Sequence, residues 1–78
     1  MKFQRLSLDQ KIKTLNLDGV FIMSIRYYGY KINLYLLGKD FFEVFINHKR
    51  AVIERIQLLD RSHTRFKFYT DQISLLAL

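Results

Sequence analysis

The stretch at residues 20–37, VFIMSIRYYGYKINLYLL, can fold back on itself around Tyr28-Gly29. A hairpin turn at these two residues places large apolar side chains opposite one another. The expected pairs are Tyr27 with Tyr30, Ile25 with Ile32, Met23 with Leu34, and Phe21 with Leu36. A slip of one residue would set Arg26 against Ile32, so the hydrophobic pattern specifies the register. We therefore predict two antiparallel strands that share one apolar face.

The residues that follow extend the pattern to a third strand. Gly38-Lys39-Asp40 has the composition of a three-residue turn, and an apolar stretch runs from Phe41 to about Asn47. This turn places Leu36 opposite Phe42, Leu34 opposite Val44, and Ile32 opposite Ile46. One face of the sheet would then collect nine apolar residues: Phe21, Met23, Ile25, Ile32, Leu34, Leu36, Phe42, Val44 and Ile46.

The flanking segments predict two helices and a fourth strand. Ser7 and Gln10 fit a capping box at the start of a short helix. Residues 51–59 fit either a helix or a strand with a β-bulge at Glu54-Arg55, and their β-branched residues favour the strand. Residues 64–76 have helical spacing, although 65–69 also alternate like a strand. The favoured fold is α+β in one domain over 1–78: a short N-terminal helix, a four-stranded antiparallel β-meander and a C-terminal helix.

The composition bounds the class of protein. Half of the 78 residues are hydrophobic, and there is no cysteine to form disulfides or bind metal as thiolate. The first seven residues lack an apolar signal-peptide core, and the apolar runs are too short to span a membrane. We therefore expect a cytoplasmic protein. Thirteen basic and seven acidic residues give a net charge of +6, which favours anionic partners.

Four strings of this sequence resemble small uncharacterised bacterial proteins of the Bacteroidetes type. The strings are YYGYKINLYLL at 27–37, FEVF at 42–45, IERI at 53–56 and KFYTDQI at 67–73. The resemblance implies a bacterial, cytoplasmic, single-domain protein. It brings no assigned activity, cofactor or site residue with it.

The titratable residues do not form a recognisable catalytic or metal-binding motif. His48 and His63 have no second histidine at ligand spacing. Glu43 and Glu54 lie near Arg55 on neighbouring predicted strands, and a solvated cross-strand ion cluster is the favoured interpretation. We therefore expect a protein that is not an enzyme and uses no cofactor or metal, and no small-molecule substrate is evident.

Basic residues are expected to gather at one end of the meander. The Tyr28-Gly29 turn and the polar loop at 47–50 should emerge at the same end, with tyrosine rings among the cations. Cations interleaved with aromatic rings can hold phosphates and stack on bases, although charge also keeps hairpin tips soluble. The candidate anion or nucleic-acid contacts are Arg26, Lys31, Lys49 and Arg50.

The second face of the predicted sheet also carries apolar residues, concentrated toward the Gly38 end: Ile22, Tyr35, Leu37, Phe41 and Phe45. A solvated face would be polar, so either a helix of the same chain or another molecule should cover them. Our first hypothesis is a protein-interaction module that self-associates through this face as a homo-oligomer. The alternative is a nucleic-acid-binding protein that uses the basic end.

Overall fold

The computed structural model describes residues 3–76, and the side chains of residues 3–72. A short 3₁₀ turn precedes two helices and four strands. The elements are Phe3–Arg5 (3₁₀), α1 (Leu8–Asp18), β1 (Val20–Tyr27), β2 (Tyr30–Leu37), β3 (Asp40–Asn47), β4 (Ile53–Leu58) and α2 (Arg65–Leu76). The strands form one antiparallel sheet in the order β1-β2-β3-β4. The predicted α+β fold is therefore confirmed.

Helix α1 begins at the predicted capping box. The hydroxyl of Ser7 accepts a hydrogen bond from the Gln10 N–H at 3.2 Å, and the Gln10 side chain accepts one from the Ser7 N–H at 3.1 Å. The helix ends where the Gly19 N–H donates to the Leu15 carbonyl oxygen. A Cβ at Gly19 would lie 2.7 Å from that oxygen, so the close approach at this helix end requires glycine. In the described part of the chain, neither helix has the length and apolarity to cross a membrane.

The hairpin of β1 and β2 has the predicted register around Tyr28-Gly29. Tyr27 pairs with Tyr30, Ile25 with Ile32, and Met23 with Leu34. The predicted pair of Phe21 with Leu36 is wrong, because a β-bulge between Phe21 and Met23 shifts the start of β1 by one residue. Phe21 consequently lies opposite Tyr35, with its ring edge-on at 5.7 Å.

The turn between β2 and β3 is one residue shorter than predicted. Gly38 and Lys39 alone form it, with Gly38 in the left-handed region at φ 62°, and Leu37 pairs with Asp40. The whole of β3 is therefore shifted by one residue, so that Glu43, and not Val44, lies opposite Leu34. Because side chains alternate between faces, this shift moves every β3 side chain to the face opposite the predicted one.

The shift divides the apolar residues of the sheet between two covered faces. On one face, here called the α1 face, Phe42 and Val44 pack with Phe3 and with Leu15 of α1. The other face, the α2 face, packs against α2 through Tyr69. Its buried strand residues are Met23, Ile25, Ile32, Leu34 and Phe45. The predicted single nine-residue face is thus wrong, because Phe42, Val44 and Ile46 lie on the α1 face.

Residues 51–59, whose sequence fits either a helix or a strand, contain strand β4. Ile46 pairs with Ile53 and Phe45 pairs with Arg55, so Glu54 is the extra residue of a bulge. The structure confirms the predicted strand with an irregularity at Glu54-Arg55. The C-terminal segment forms the predicted helix, from Arg65 to Leu76.

A buried ion pair joins α2 to the sheet. Glu43 has no exposed surface, and its carboxylate accepts hydrogen bonds from Arg65 Nε at 2.9 Å and from Arg65 Nη2 at 3.0 Å. The Tyr69 hydroxyl donates to the same carboxylate at 2.8 Å. The interpretation of Glu43 as part of a solvated cluster with Glu54 is therefore wrong, because the register of β3 turns Glu43 toward α2.

We predict that Glu43→Gln lowers the free energy of unfolding by about 3–5 kcal/mol, because it leaves the Arg65 guanidinium buried without its counter-charge. Urea denaturation followed by circular dichroism measures the change. Glu54→Gln is the matched control, since it makes the same substitution at an exposed site and should shift the midpoint far less. Equal shifts for the two variants would contradict a buried Glu43.

Candidate functional site

The two loops at one end of the sheet are joined by a backbone hydrogen bond. The His48 N–H donates to the Gly29 carbonyl oxygen at 3.0 Å, which fixes the β1–β2 turn beside the β3–β4 loop. The predicted meeting of these two loops is therefore confirmed. We call this region, formed by residues 26–31 and 47–55, the basic end.

Each of the four predicted anion contacts is exposed at the basic end. Arg26 and Lys31 lie opposite each other on β1 and β2, on the α1 face beyond the part that α1 covers. Lys49 and Arg50 lie in the β3–β4 loop. A shallow cleft of about 280 Å³ lies beside Arg26 and Lys31, and its lining also includes the part-buried Ser24 and, from the β3–β4 loop, His48. The structure thus brings together the cations that the sequence singled out.

Asn47 and Glu54 hold the β3–β4 loop in shape. Asn47 Oδ1 accepts hydrogen bonds from the N–H groups of Lys49 and Arg50, each at 3.0 Å. Its Nδ2 donates to Glu54 at 2.8 Å, and Tyr30 donates to the other Glu54 oxygen at 2.9 Å. The two hydrogen bonds that Glu54 accepts lower the pKa of its carboxyl, and the bond from Asn47 has the larger effect. The bond that Tyr30 donates to Glu54 raises the pKa of the Tyr30 hydroxyl. The loop that presents the cations is therefore preorganised.

Tyr28 is the most unusual residue of the basic end. It lies at the tip of the hairpin with φ 54° and 91% of its surface exposed. A bulky side chain at positive φ is uncommon, because the left-handed conformation costs about 1–2 kcal/mol in a residue other than glycine. The ring approaches Tyr27 edge-on and is otherwise largely in solvent, so burial does not explain an aromatic residue at this position. Strain of this kind is a pointer to function.

The charge of the protein is distributed unevenly between the two ends of the sheet. The basic end carries Arg26, Lys31, Lys49, Arg50 and Arg55, and Glu54 is its sole carboxylate among the described residues. The opposite end, at the Gly38 turn, combines Lys39 and Arg61 with Asp18, Asp40 and Asp60. Because the two ends differ in net charge, an anion approaching the molecule is attracted to the basic end.

The buried cluster around Glu43 is the second place where polar groups converge. Arg65 is held by Glu43, stacks on Tyr27 with its guanidinium carbon 5.1 Å from the ring centroid, and has Nη1 3.1 Å from His63 Nε2. The bond to Glu43 raises the pKa of Arg65, and burial raises that of Tyr69. Both carboxylate oxygens are already occupied by Arg65 and Tyr69, and the nearest cleft, about 230 Å³ beside Tyr69, is mainly apolar. This cluster anchors α2.

His63 has a structural role that sequence reasoning missed. Its Nδ1 accepts a hydrogen bond from the Arg65 N–H at 3.1 Å, which places the ring at the start of α2. The hydroxyl residues Ser62 and Thr64 on either side of it are typical of a helix cap, but no local pattern indicates the imidazole. Among the described residues, no three His, Asp or Glu side chains lie close enough together to hold a metal ion.

The five predicted interface residues do not form one uncovered face. Tyr35 and Leu37 belong to the α1 face, where Leu37 is buried, while Phe41 and Phe45 belong to the α2 face, where Phe45 is fully buried. Ile22 is half-buried at the bulge of β1. Of the two expected covers, a helix of the same chain or another molecule, the structure shows the first, because the shifted β3 register lets each helix cover its own face.

No protein-family model, curated protein or solved structure shows a significant match to this chain. The resemblance to small Bacteroidetes proteins therefore stays a prediction.

Strain at Tyr28 can be measured by comparing two variants that both remove the ring. We predict that Tyr28→Gly is more stable than Tyr28→Ala by about 1 kcal/mol, because glycine adopts positive φ without steric cost. Thermal unfolding of the two proteins measures the difference. At the exposed helical position Lys13 the order should reverse, with glycine the less stable by about 1 kcal/mol. The same order at both positions would contradict a strained Tyr28.

Proposed function

We propose that this protein is a non-enzymatic binding module of the bacterial cytoplasm, and that its ligand is single-stranded nucleic acid held at the basic end. The observation that carries the proposal is the hydrogen bond from His48 to Gly29, which holds the β3–β4 loop with Lys49 and Arg50 beside the turn that Arg26 and Lys31 flank. Phosphate contacts from Lys and Arg dominate the affinity for nucleic acids. Arg26 and Lys31 line one cleft together with His48, and Lys49 and Arg50 follow His48 in the loop, so all four cations lie at the same end of the sheet.

The exposed ring of Tyr28 favours a single strand over a duplex. Proteins that bind single strands combine a positively charged groove with aromatic side chains on which unpaired bases stack, and each stacked base contributes about 1–3 kcal/mol. Tyr28 exposes 91% of its surface at the same end of the sheet as the cations, in an unfavourable backbone conformation. A duplex, whose bases are already stacked, would gain nothing from this ring.

Binding is tested with a fluorescently labelled oligothymidylate and fluorescence anisotropy over a range of salt concentrations. We predict a linear fall of log affinity with log salt. Lys49→Glu with Arg50→Glu should weaken binding at every salt concentration. The slope of log affinity against log salt concentration should become shallower by about 1.4, since each of the two lost phosphate contacts contributes about 0.7 to that slope. The matched control is Lys39→Glu with Arg61→Glu, which changes the net charge equally at the opposite end.

The control distinguishes a site from a general effect of charge. Equal losses of affinity in the two double variants would contradict a site at the basic end, and so would the absence of binding at low salt. Tyr28→Ala adds a test of the stacking contact: we expect roughly a tenfold loss of affinity for the single strand and little change for a duplex of the same length.

Self-association stays a second proposal. The covered sheet faces do not favour it, but the edge of β1 does, because that edge retains exposed apolar side chains.

A further inference from the structure

The exposed apolar side chains of this protein are concentrated along one edge of the sheet. In the part of the chain whose side chains are described, the large exposed ones are Leu17, Val20, Phe21, Tyr28, Val52, Leu58 and Phe68. Val20 and Phe21 begin β1, and Leu17 lies in the last turn of α1, three residues before the strand. Tyr28 follows its end, and Phe68 of α2 approaches Tyr27 at a ring distance of 6.2 Å. Five of these seven residues therefore flank a single strand.

β1 is an edge strand that is poorly protected against pairing. It has a strand neighbour on one side, so the backbone N–H and C=O groups of its outer side are available to another strand. Its eight residues contain one charge, that of Arg26, and no proline. The other edge, β4, is shorter and carries the exposed charges of Glu54 and Arg55. Proteins commonly protect an edge with such charges, and β1 has few of them.

We propose that β1 pairs with β1 of a second copy of this chain, antiparallel and about a two-fold axis at Ser24, to form a continuous eight-stranded sheet. The strand is complementary to itself in this register. Phe21 lies opposite Arg26 of the second copy, so that the one exposed cation of the edge meets an exposed aromatic ring. The bulge residues Ile22 and Met23 lie opposite Ile25.

The pairing also preserves the faces of the two sheets. Phe21 and Arg26 both belong to the α1 face, since they pair with Tyr35 and Lys31 of β2. Val20, which pairs with Leu36, lies opposite Tyr27 of the second copy on the α2 face. The antiparallel arrangement keeps the two Arg26 side chains four positions apart, whereas a parallel one would set them side by side. The positions of the charge and of the apolar side chains along β1 are thus complementary to those of an antiparallel β1 from a second copy.

Salt separates this proposal from nucleic-acid binding. Each copy carries a net charge of +6, so the two copies repel each other, and added salt screens that repulsion. Self-association should therefore strengthen with salt, while binding of an oligonucleotide weakens with salt. Sedimentation equilibrium of the wild-type chain at low and high salt measures the first trend.

Disulfide cross-linking tests the register, because the chain has no cysteine of its own. Directly opposite residues have Cα atoms about 4.5–5.5 Å apart, within the range that a disulfide bridges. Ser24→Cys should therefore form a covalent dimer on mild oxidation. Phe21→Cys and Arg26→Cys should each cross-link slowly alone and rapidly when mixed. Gln57→Cys on β4 is the control for random collision.

Rapid cross-linking of Ser24→Cys and of the mixed pair, together with a wild-type dimer that strengthens with salt, would support the proposal. A wild-type monomer at high micromolar concentration and high salt, with Ser24→Cys no faster than Gln57→Cys, would overturn it. Dimerisation of the wild-type chain, together with rapid cross-linking of the Gln57→Cys variant and not of the Ser24→Cys variant, would also overturn it, since the interface would then lie at β4. These results leave the oligonucleotide measurements unaffected.

Discussion

The buried carboxylate of Glu43 determines how α2 packs on the sheet. It lies without exposure at the centre of the α2 face, and Arg65 and Tyr69 of α2 satisfy both of its oxygens. A buried carboxylate without such partners would be strongly unfavourable. The ion pair therefore fixes both the position of α2 and the face of β3 that points toward it. With α2 in place, one sheet face is closed, and α1 closes the other.

This arrangement decides which surfaces remain for binding. Because each helix covers one face, five of the seven large apolar side chains that stay exposed lie in β1 or next to it, and five cations lie where the turns meet. The basic end and the β1 edge adjoin at Arg26 and Tyr28. The basic end attracts anions, and added salt weakens that attraction. The β1 edge would instead bury apolar side chains in a dimer. A dimer through β1 would place two basic ends on one sheet.

The limits of sequence reasoning are clearest in β3. The hairpin around Tyr28-Gly29 was predictable because the alternation of apolar and polar residues over 23–27 and 30–34 excludes a one-residue slip. The β3 stretch at 41–46, FFEVFI, has apolar residues on both faces, so a two-residue or a three-residue turn gives apolar pairs. The choice rests on a contact between Glu43 and Arg65, 22 residues apart, which no local pattern reveals. Four of the five cations of the basic end were predictable from topology alone, whereas the backbone strain at Tyr28 and the contact of His63 with Arg65 were not.

The register of β2 and β3 tests this account most directly. In ¹⁵N,¹³C-labelled protein, nuclear Overhauser effects between backbone protons of facing residues identify each cross-strand pair. The account predicts effects between Leu34 and Glu43 and between Asn33 and Val44. Effects between Leu34 and Val44 would contradict it, since Glu43 would then point away from α2 and the division of the core between two helices would fail.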